Sequence, residues 1–141
     1  PMAYTIDQLK PGMSASTSKT VTETDVILFS GISTDVNPAH LDEQYCKTTK
    51  FGTRIAHGLL SAGFISATLA NKLPGPGTIY LSQTLRFKAP VKIGDTVTAT
   101  VTVREINTEK NRVTLDTVCT GAGNTVIEGE CLVMPPMAPA P

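Results

Sequence analysis

The stretch GLLSAGFISATLAN, residues 58–71, decides the fold, because it has the length of a helix and apolar or small side chains on almost every face. Its large apolar residues recur at helical spacing: Leu59, Leu60, Phe64, Ile65 and Leu69. A helix of this kind is typical of a protein interior. Because ~20 residues are needed to cross a bilayer, this segment is too short to span a membrane. We therefore expect the rest of the chain to wrap it.

The segments that follow this helix have the pattern of β-strands. The prolines and glycines of KLPGPG, residues 72–77, end the helix. Valine or alanine alternates with threonine through residues 96–106, which indicates a half-buried strand. Three more strands are predicted at residues 79–88, 113–120 and 125–133. A hairpin loop at residues 121–124 joins the last two, so we predict an antiparallel meander.

The segments before the helix predict shorter elements. A strand is predicted at residues 14–22, a capped helix at residues 22–33 and a second helical stretch around residues 42–48. Residues 1–134 should therefore form a single α+β domain, with one buried helix wrapped by an antiparallel sheet. The ending PPMAPAP, residues 135–141, is too proline-rich to pack, and we predict that it is a disordered tail.

The composition argues against two classes of partner. Lys plus Arg equals Asp plus Glu at twelve each, so no net charge attracts nucleic acid or an anionic membrane. Trp is absent and aromatic residues are few, which also argues against a base-stacking surface. No signal peptide or membrane-length apolar run is evident, and we expect a cytoplasmic protein. Its three cysteines lack Cys-x-x-Cys spacing and should be free thiols.

The heptapeptide TDVNPAH, residues 34–40, places a carboxylate and an imidazole five residues apart. On a continuous helix Asp35 and His40 would point about 140° apart, but Pro38 disfavours such a helix. On a bend both side chains can turn inward, and Asn37 can hydrogen-bond to the local backbone to fix that bend. Such a pair can take a proton from water and return one elsewhere. The spacing alone fits a turn cap and a loop histidine more often than it fits a catalytic pair.

A second signal lies where the buried helix begins, at Ala56-His57-Gly58. A helix N-terminus has free backbone N–H groups and a partial positive charge. Glycine lets a ligand come close to the backbone there, and a developing oxyanion would be stabilised. A plain first helical residue explains Gly58 about equally well.

These motifs together resemble a known family. They read FSGISTDVNPAH (29–40), RIAHGLL (54–60) and LPGPGTIYLSQTLRFKAPVKIGD (73–95). Their order resembles that of the (R)-specific enoyl-CoA hydratases of the MaoC-like dehydratase family, and the likeness covers nearly all of the chain after residue 20. It is greatest to the small single-domain bacterial hydratases linked to polyhydroxyalkanoate synthesis. The resemblance implies the hot-dog fold, in which an antiparallel sheet wraps a long helix, and a homodimer formed by edge-to-edge pairing of sheets.

The resemblance also implies roles for individual residues. Asp35 and His40 would be the catalytic dyad that holds the attacking water, and the amide of Gly58 would bind the thioester oxygen. Asn37 would shape the loop. Ser66 matches a family serine near the active site. Apart from the resemblance, we expect His57 at the helix entry near the substrate. An acyl tail would have to lie along helix and sheet side chains, so we expect Leu69 and Met134 at the floor of its pocket.

Three positions beside the dyad depart from the family pattern. Thr34 stands where glycine is common before the aspartate, Ala39 replaces a larger aliphatic residue, and Cys46 replaces alanine or serine. A nucleophilic role for Cys46, which lies near His40 in sequence, is a minor alternative. These departures bear on the rate of a reaction more than on its class.

The reaction that the resemblance implies is reversible addition of water to a trans-2-enoyl-CoA, giving an (R)-3-hydroxyacyl-CoA. No metal or redox cofactor is expected, and coenzyme A enters only as part of the substrate. A hot-dog acyl-CoA thioesterase is one rival, although residues 58–71 contain no Asp or Glu to activate water. A non-catalytic acyl-CoA-binding module is another. A metal site built from Asp35, His40 and His57 lacks short ligand spacing.

The basic residues are candidates for contacts with the phosphates of coenzyme A. Four of them lie near the motifs: Arg54, Arg86, Lys88 and Lys92. Each is equally plausible as a solvated surface charge.

Overall fold

A six-stranded antiparallel sheet and one long helix form the framework of the molecule. The computed structural model describes residues 2–138. Its strands are β1 (Ser14–Thr20), β2 (Ile79–Gln83), β3 (Arg86–Phe87), β4 (Thr96–Asn107), β5 (Arg112–Gly121) and β6 (Asn124–Met134). Its helices are α1 (Glu23–Ser33), α2 (Pro38–Leu41), α3 (Glu43–Cys46) and α4 (Gly58–Asn71). This architecture confirms the α+β, hot-dog prediction.

The sheet has the strand order β1-β4-β5-β6-β2, and β3 also pairs with β6. All of these pairs are antiparallel, so β4, β5 and β6 form the predicted meander. The tight turn between β5 and β6 places Ala122 and Gly123 at φ values of 50° and 80°. Two consecutive residues with positive φ are the hallmark of a type I′ turn, whose twist matches that of a hairpin.

The core lies between the inner face of the sheet and α4. The alternation predicted for residues 96–106 is confirmed, because Val97, Ala99, Val101 and Val103 are all at least 98% buried. Threonines of the same strand face outward, where the hydroxyl of Thr100 lies 2.8 Å from that of Ser16 on β1. The sheet thus presents an apolar inner face to the helix and a polar outer face to solvent.

Helix α4 has the bounds that the sequence predicts, but it is not enclosed on every side. One face packs against the sheet: Leu60, Ser61, Ile65, Thr68 and Leu69. The opposite face is exposed in the single chain, where Leu59 is 58% exposed and Gly63, Ser66 and Ala70 are also accessible. The predicted packing of this helix against the sheet is confirmed, while its opposite face is exposed in one chain because the sheet covers one side of the helix only. Within residues 2–138, no helix is both long and apolar enough to cross a bilayer.

The short helices confirm some predictions and correct others. Thr22 and Asp25 form a reciprocal capping box at the start of α1, as its sequence predicts. A one-turn helix, α2, begins at Pro38 where only a bend was expected, because proline is favoured at the first position of a helix. The helical stretch predicted around residues 42–48 shortens to α3.

The chain end is better packed than its composition indicates. Pro135 and Pro136 are buried, and the carbonyl of Pro135 accepts a hydrogen bond from the side chain of Asn111 at 3.0 Å. The prediction of a disordered tail is therefore wrong at these two residues. Met137 and Ala138 are exposed, and residues 139–141 of the predicted tail lie outside the described range.

The strand predicted at residues 79–88 is interrupted, and Gly129 explains how. Between β2 and β3 the backbone N–H of Thr84 donates to the carbonyl of Glu130 at 2.9 Å, and the Thr84 hydroxyl accepts from the Glu130 amide. These two hydrogen bonds hold the Thr84 carbonyl oxygen 1.9 Å from where a Cβ on Gly129 would lie. Only glycine fits there, because the obstructing atom belongs to the backbone.

We expect Gly129→Ala to lower the free energy of unfolding by about 3 kcal/mol, because the added methyl forces β2 and β3 away from β6. Gly31→Ala is the matched control. It lies in α1 with no atom within 4 Å of the added carbon, so better helix propensity should stabilise it by about 0.5–1 kcal/mol. Urea unfolding measures both variants. A Gly129→Ala protein as stable as the wild type would show that the close approach of Thr84 does not require glycine at residue 129.

Candidate active site

The loop after α1 begins with a strained residue. Thr34 has φ +66° and ends α1 in the left-handed region. The hydroxyl of Ser33 supports this turn, because it donates to the carbonyl of Phe29 at 2.6 Å and accepts from the amide of Asp35 at 3.1 Å. A left-handed conformation costs a non-glycine residue about 1–2 kcal/mol, and a β-branched residue suits it poorly. Glycine, which the family resemblance leads one to expect at this position, would adopt this conformation without strain.

The bend between Asp35 and His40 is built from short-range hydrogen bonds. The Oδ1 atom of Asp35 accepts from the amide of Asn37 at 3.2 Å, and the Oδ1 atom of Asn37 accepts from the amide of Ala39 at 3.0 Å. Asn37 therefore caps α2, in which Pro38 is the first residue. These bonds turn both side chains of the predicted dyad toward one cleft.

His40 is held in one tautomer. Its side chain is 11% exposed, and its Nδ1 lies 2.7 Å from the carbonyl oxygen of Ile55. Because a carbonyl only accepts, Nδ1 carries the proton and donates it. In the neutral ring Nε2 therefore has a free lone pair, and this atom lies 4.0 Å from Oδ2 of Asp35. That distance is too long for a direct hydrogen bond but fits one water molecule ~2.8 Å from each atom.

Gly58 lies at the same cleft and begins α4. Within residues 2–138 its amide donates to no hydrogen-bond acceptor. The cleft of about 500 Å³ is lined by Asp35, His40 and Gly58 together, and its volume is typical of small-molecule sites. A free N–H at the positive end of a helix is a suitable donor to an oxyanion. The ring of Phe87 packs on this glycine, since a Cβ there would lie 2.5 Å from Phe87 Cε1.

His57 is buried behind the dyad, being 2% exposed. Its ring stacks on that of His40, with 3.8 Å between the ring centroids and 29° between their planes. Its Nε2 lies 3.0 Å from the carbonyl oxygen of Asp35 and 3.2 Å from the hydroxyl of Ser30. Its Nδ1 and the hydroxyl of Ser61, one helical turn later, are buried without a hydrogen-bond partner in the described chain. The inner wall of the cleft is therefore partly polar.

The three groups proposed as metal ligands do come together, but with unsuitable orientation. One possible ligand atom from each of Asp35, His40 and His57 lies within 4.8 Å of the other two. The lone pair of a ring nitrogen lies in the ring plane. Because the two imidazoles are stacked, their lone pairs run in separate planes and do not converge on one ion. This geometry favours acid–base chemistry over a tetrahedral metal site.

Three of the residues expected to bind substrate do not line this cleft in the single chain. Ser66 is exposed on the open face of α4, eight residues beyond Gly58. Leu69 faces the sheet at 2% exposure, and Met134 is half-buried at the end of β6. Their separation from Gly58 along α4 and β6 explains why they are not brought together with the dyad.

The basic residues considered for contacts with coenzyme A differ in whether they line the cleft. Lys88 lines the cleft, whereas Arg86 and Lys92 do not, and Lys50 is a further lining cation that the sequence analysis missed. Its ammonium lies 5.4 Å from the ring centre of the neighbouring Phe51. Only the three-dimensional fold distinguishes it from other lysines, since it belongs to no motif.

Arg54 does not line the cleft and instead links neighbouring elements by hydrogen bonds. Its side chain is 14% exposed, its Nε donates to the carbonyl of His40 at 2.7 Å, and its Nη1 pairs with Glu23 at 2.7 Å. Its backbone amide donates to Glu43 at 2.9 Å. Arg54 therefore ties α1, α2 and α3 together behind the dyad, and it is poorly placed for coenzyme A.

Cys46 is also structural. Burial raises the pKa of its thiol, and the thiol donates to the carbonyl of Ala39 at 3.1 Å. A raised pKa removes the thiolate that a nucleophile needs. The two small residues Ala39 and Cys46 thus pack against each other, so these departures from the family pattern are neighbours.

Comparison with known proteins decides the family. The sequence pattern of the MaoC like domain matches residues 7–128. The chain belongs to the MaoC-like family. It is 62% identical over 130 residues to an (R)-specific enoyl-CoA hydratase of Rhodospirillum rubrum, which covers 92% of this chain and 90% of that protein.

Two solved hydratase structures share the MaoC-like fold. R-hydratase PhaJ1 from Pseudomonas aeruginosa, in its unliganded form, superposes with a TM-score of 0.89 at 44% identity, covering 97% of this chain and 93% of that one. The (R)-hydratase from A. caviae involved in PHA biosynthesis gives a TM-score of 0.88 at 41% identity, with coverages of 91% and 98%. The architecture deduced for this MaoC-like protein thus agrees with that of both enzymes.

We expect Thr34→Gly to raise the free energy of unfolding by about 1 kcal/mol, because glycine adopts the left-handed conformation without strain. Ala122→Gly is the matched control, since Ala122 also has positive φ but lacks a β-branch. Urea unfolding should show a smaller gain for the control. A destabilised Thr34→Gly protein would show that the Thr34 side chain contributes more than its backbone strain costs.

Proposed function

We propose that this protein is an (R)-specific enoyl-CoA hydratase, a hydro-lyase that adds water reversibly to a trans-2-enoyl-CoA. The observation that carries the proposal is the 4.0 Å gap between His40 Nε2 and Asp35 Oδ2, in a cleft that also contains the free amide of Gly58. Two acceptors one water apart, facing a donor for the thioester oxygen, form the set that hydration requires. The named activities of the relatives support the same reaction.

The proposed mechanism gives a role to each of Asp35, His40 and Gly58. Asp35 and His40 hold one water molecule, which donates a hydrogen bond to each of them. The water oxygen forms a bond to C3 of the substrate as Asp35 takes one of its protons, and the π electrons move onto the thioester oxygen. Gly58 donates its N–H to that developing enolate oxygen. A proton from the dyad then goes to C2, so water has been added and the protein is unchanged.

The substrate's own chemistry suffices for this reaction. The conjugated thioester is already electrophilic at C3, so we propose that no metal or redox cofactor takes part and that coenzyme A enters only with the acyl group. Lys50 at the cleft supplies positive charge that suits the phosphates of coenzyme A, and Lys88, which pairs with Glu128 at 3.4 Å, is a second cation there. Three buried, unpaired thiols support a reducing, cytoplasmic setting: Cys46, Cys119 and Cys131.

Asp35→Asn and His40→Gln should each lower kcat by about 10²–10⁴-fold, because each removes a proton acceptor from the attacking water. The assay is the loss of absorbance of crotonyl-CoA and of a longer enoyl-CoA, with chiral analysis of the product. Asp116→Asn, on the outer face of β5, is the matched control and should keep full activity. Circular dichroism checks that each variant is folded.

Two outcomes would overturn the proposal. Near-normal turnover by either dyad variant would remove the mechanism. Release of free thiol without hydration would instead indicate an acyl-CoA thioesterase.

We also propose that two copies pair through the free edge of the sheet formed by β2 and β3. In the described part of the chain, residues 2–138, only β6 pairs with these strands, and they carry several exposed apolar side chains: Ile79, Tyr80, Leu81 and Phe87. An exposed apolar edge strand is unfavourable in a monomer and is a ready template for pairing. The open face of α4, with Leu59, adds apolar surface that a second chain can cover.

Leu81→Lys should convert the dimer to a monomer, because a buried lysine at a paired edge loses its hydration. Light scattering after gel filtration measures the mass directly. Ser18→Lys is the matched control, since it changes an exposed residue of β1 at the opposite edge and should leave the dimer intact. A wild-type protein with the mass of one chain would contradict the proposed dimer.

A further inference from the structure

We infer that His57 is a positioning residue that fixes Asp35, His40 and the Gly58 amide relative to one another. This inference rests on the proposed hydration. It touches each of the three groups by a different kind of contact. Its ring lies against the ring of His40, its Nε2 proton is directed at the backbone of Asp35, and its own peptide bond leads to Gly58. These contacts bring together the loop after α1, helix α2 and the start of α4.

The contact with His40 restricts the position of the ring. The two imidazoles are stacked with their centroids 3.8 Å apart and 29° between their planes, so their faces are in van der Waals contact. On its other side His57 meets Phe29 of α1, with ring centroids 4.8 Å apart and planes tilted by 54°. His57 is thus held between two rings. The bond from His40 Nδ1 to Ile55 fixes one edge of the His40 ring, while His57 keeps that ring from tilting away from the water position.

The contact with Asp35 holds the loop. A carbonyl oxygen only accepts hydrogen bonds, so Nε2 of His57 is protonated and donates to Asp35 O at 3.0 Å, with the hydroxyl of Ser30 at 3.2 Å as a second partner. This donor faces a loop that starts with the strained Thr34. Without it, the backbone of Asp35 loses its contact with the buried part of the molecule, and the carboxylate is free to move away from His40.

The same contacts distinguish His57 from a group that acts on the substrate. Its Nε2 proton is engaged by two oxygen atoms, and the ring is 2% exposed. A proton donor needs a mobile proton, and a base needs an accessible lone pair, directed at the reacting atoms. The Nδ1 atom of His57, which has the lone pair, is buried. His57 therefore acts through the dyad, and its loss should change the geometry of the reaction more than the binding of the substrate.

Two substitutions separate the contacts of His57. His57→Gln retains an N–H donor for Asp35 but loses the stacked ring, whereas His57→Phe retains a stacked ring but loses the donor. We expect each to lower kcat by about 10–100-fold, since small displacements of catalytic groups have effects of this size, while KM for crotonyl-CoA changes less than about threefold. Should His57→Phe fail to fold, His57→Gln still tests the proposal.

A double-mutant cycle separates positioning from plain structural support. If His57 acts through His40, the added effect of His57→Gln on kcat should shrink strongly in a His40→Gln background, because residues that act as a unit are not additive. Val103→Ala is the control for core damage, as Val103 is 2% exposed in β4. It should lower Tm while leaving kcat unchanged at a temperature where the protein is folded.

The outcomes are distinct. Folded His57→Gln or His57→Phe protein with the kcat of the wild type overturns the inference, and so does a full, additive loss in the His40→Gln background. A wild-type protein that does not hydrate either enoyl-CoA instead overturns the proposed function on which the inference rests.

Discussion

The packing of one face of α4 against the concave side of the sheet is the constraint on which the site depends. Ile65 and Leu69 are buried against strand residues, and this contact sets where the helix begins. The position of Gly58 is therefore fixed by core contacts along the same helix, from Leu60 in its first turn to Leu69. Because that core consists of apolar residues in close contact, it holds the positive end of the helix rigidly at the floor of the cleft. A separate loop then places Asp35 and His40 at the same cleft as this end of the helix.

That loop is made of a different kind of interaction. Short-range bonds through Ser33, Asp35 and Asn37 shape it, and Arg54 and His57 attach it from behind. Thr34 costs free energy in its left-handed conformation, and the attached groups offset that cost. The free energy of core packing thus allows a locally strained bend. The rigid scaffold provides stability, and the loop carries the proposed catalytic groups.

Sequence patterns predicted what local periodicity and capping control. The bounds of α4 and the buried valines of β4 follow from spacing alone, and the approach of Asp35 to His40 follows from a proline-directed bend. Tertiary contacts decided the rest. Arg54 has the composition of a surface cation, yet its guanidinium bonds to oxygens of α1 and α2 and its backbone amide bonds to Glu43 of α3. Lys50 lies at the cleft only because the chain after α3 folds there. The apolar sequence of α4 also predicts that both of its faces are buried, but it does not identify the surface that buries each face.

The open face of α4 connects the proposed dimer to the proposed chemistry. Leu59 and Phe87 both line the cleft, and both are more than half exposed in the single chain. A second chain that covers the β2–β3 edge would approach these same side chains, so it would close the cleft on the side away from the dyad. Ser66 and the other small residues of this face would then lie against the partner. On this argument, the enclosure that a hydratase needs is supplied by association, while the acid–base groups come from one chain.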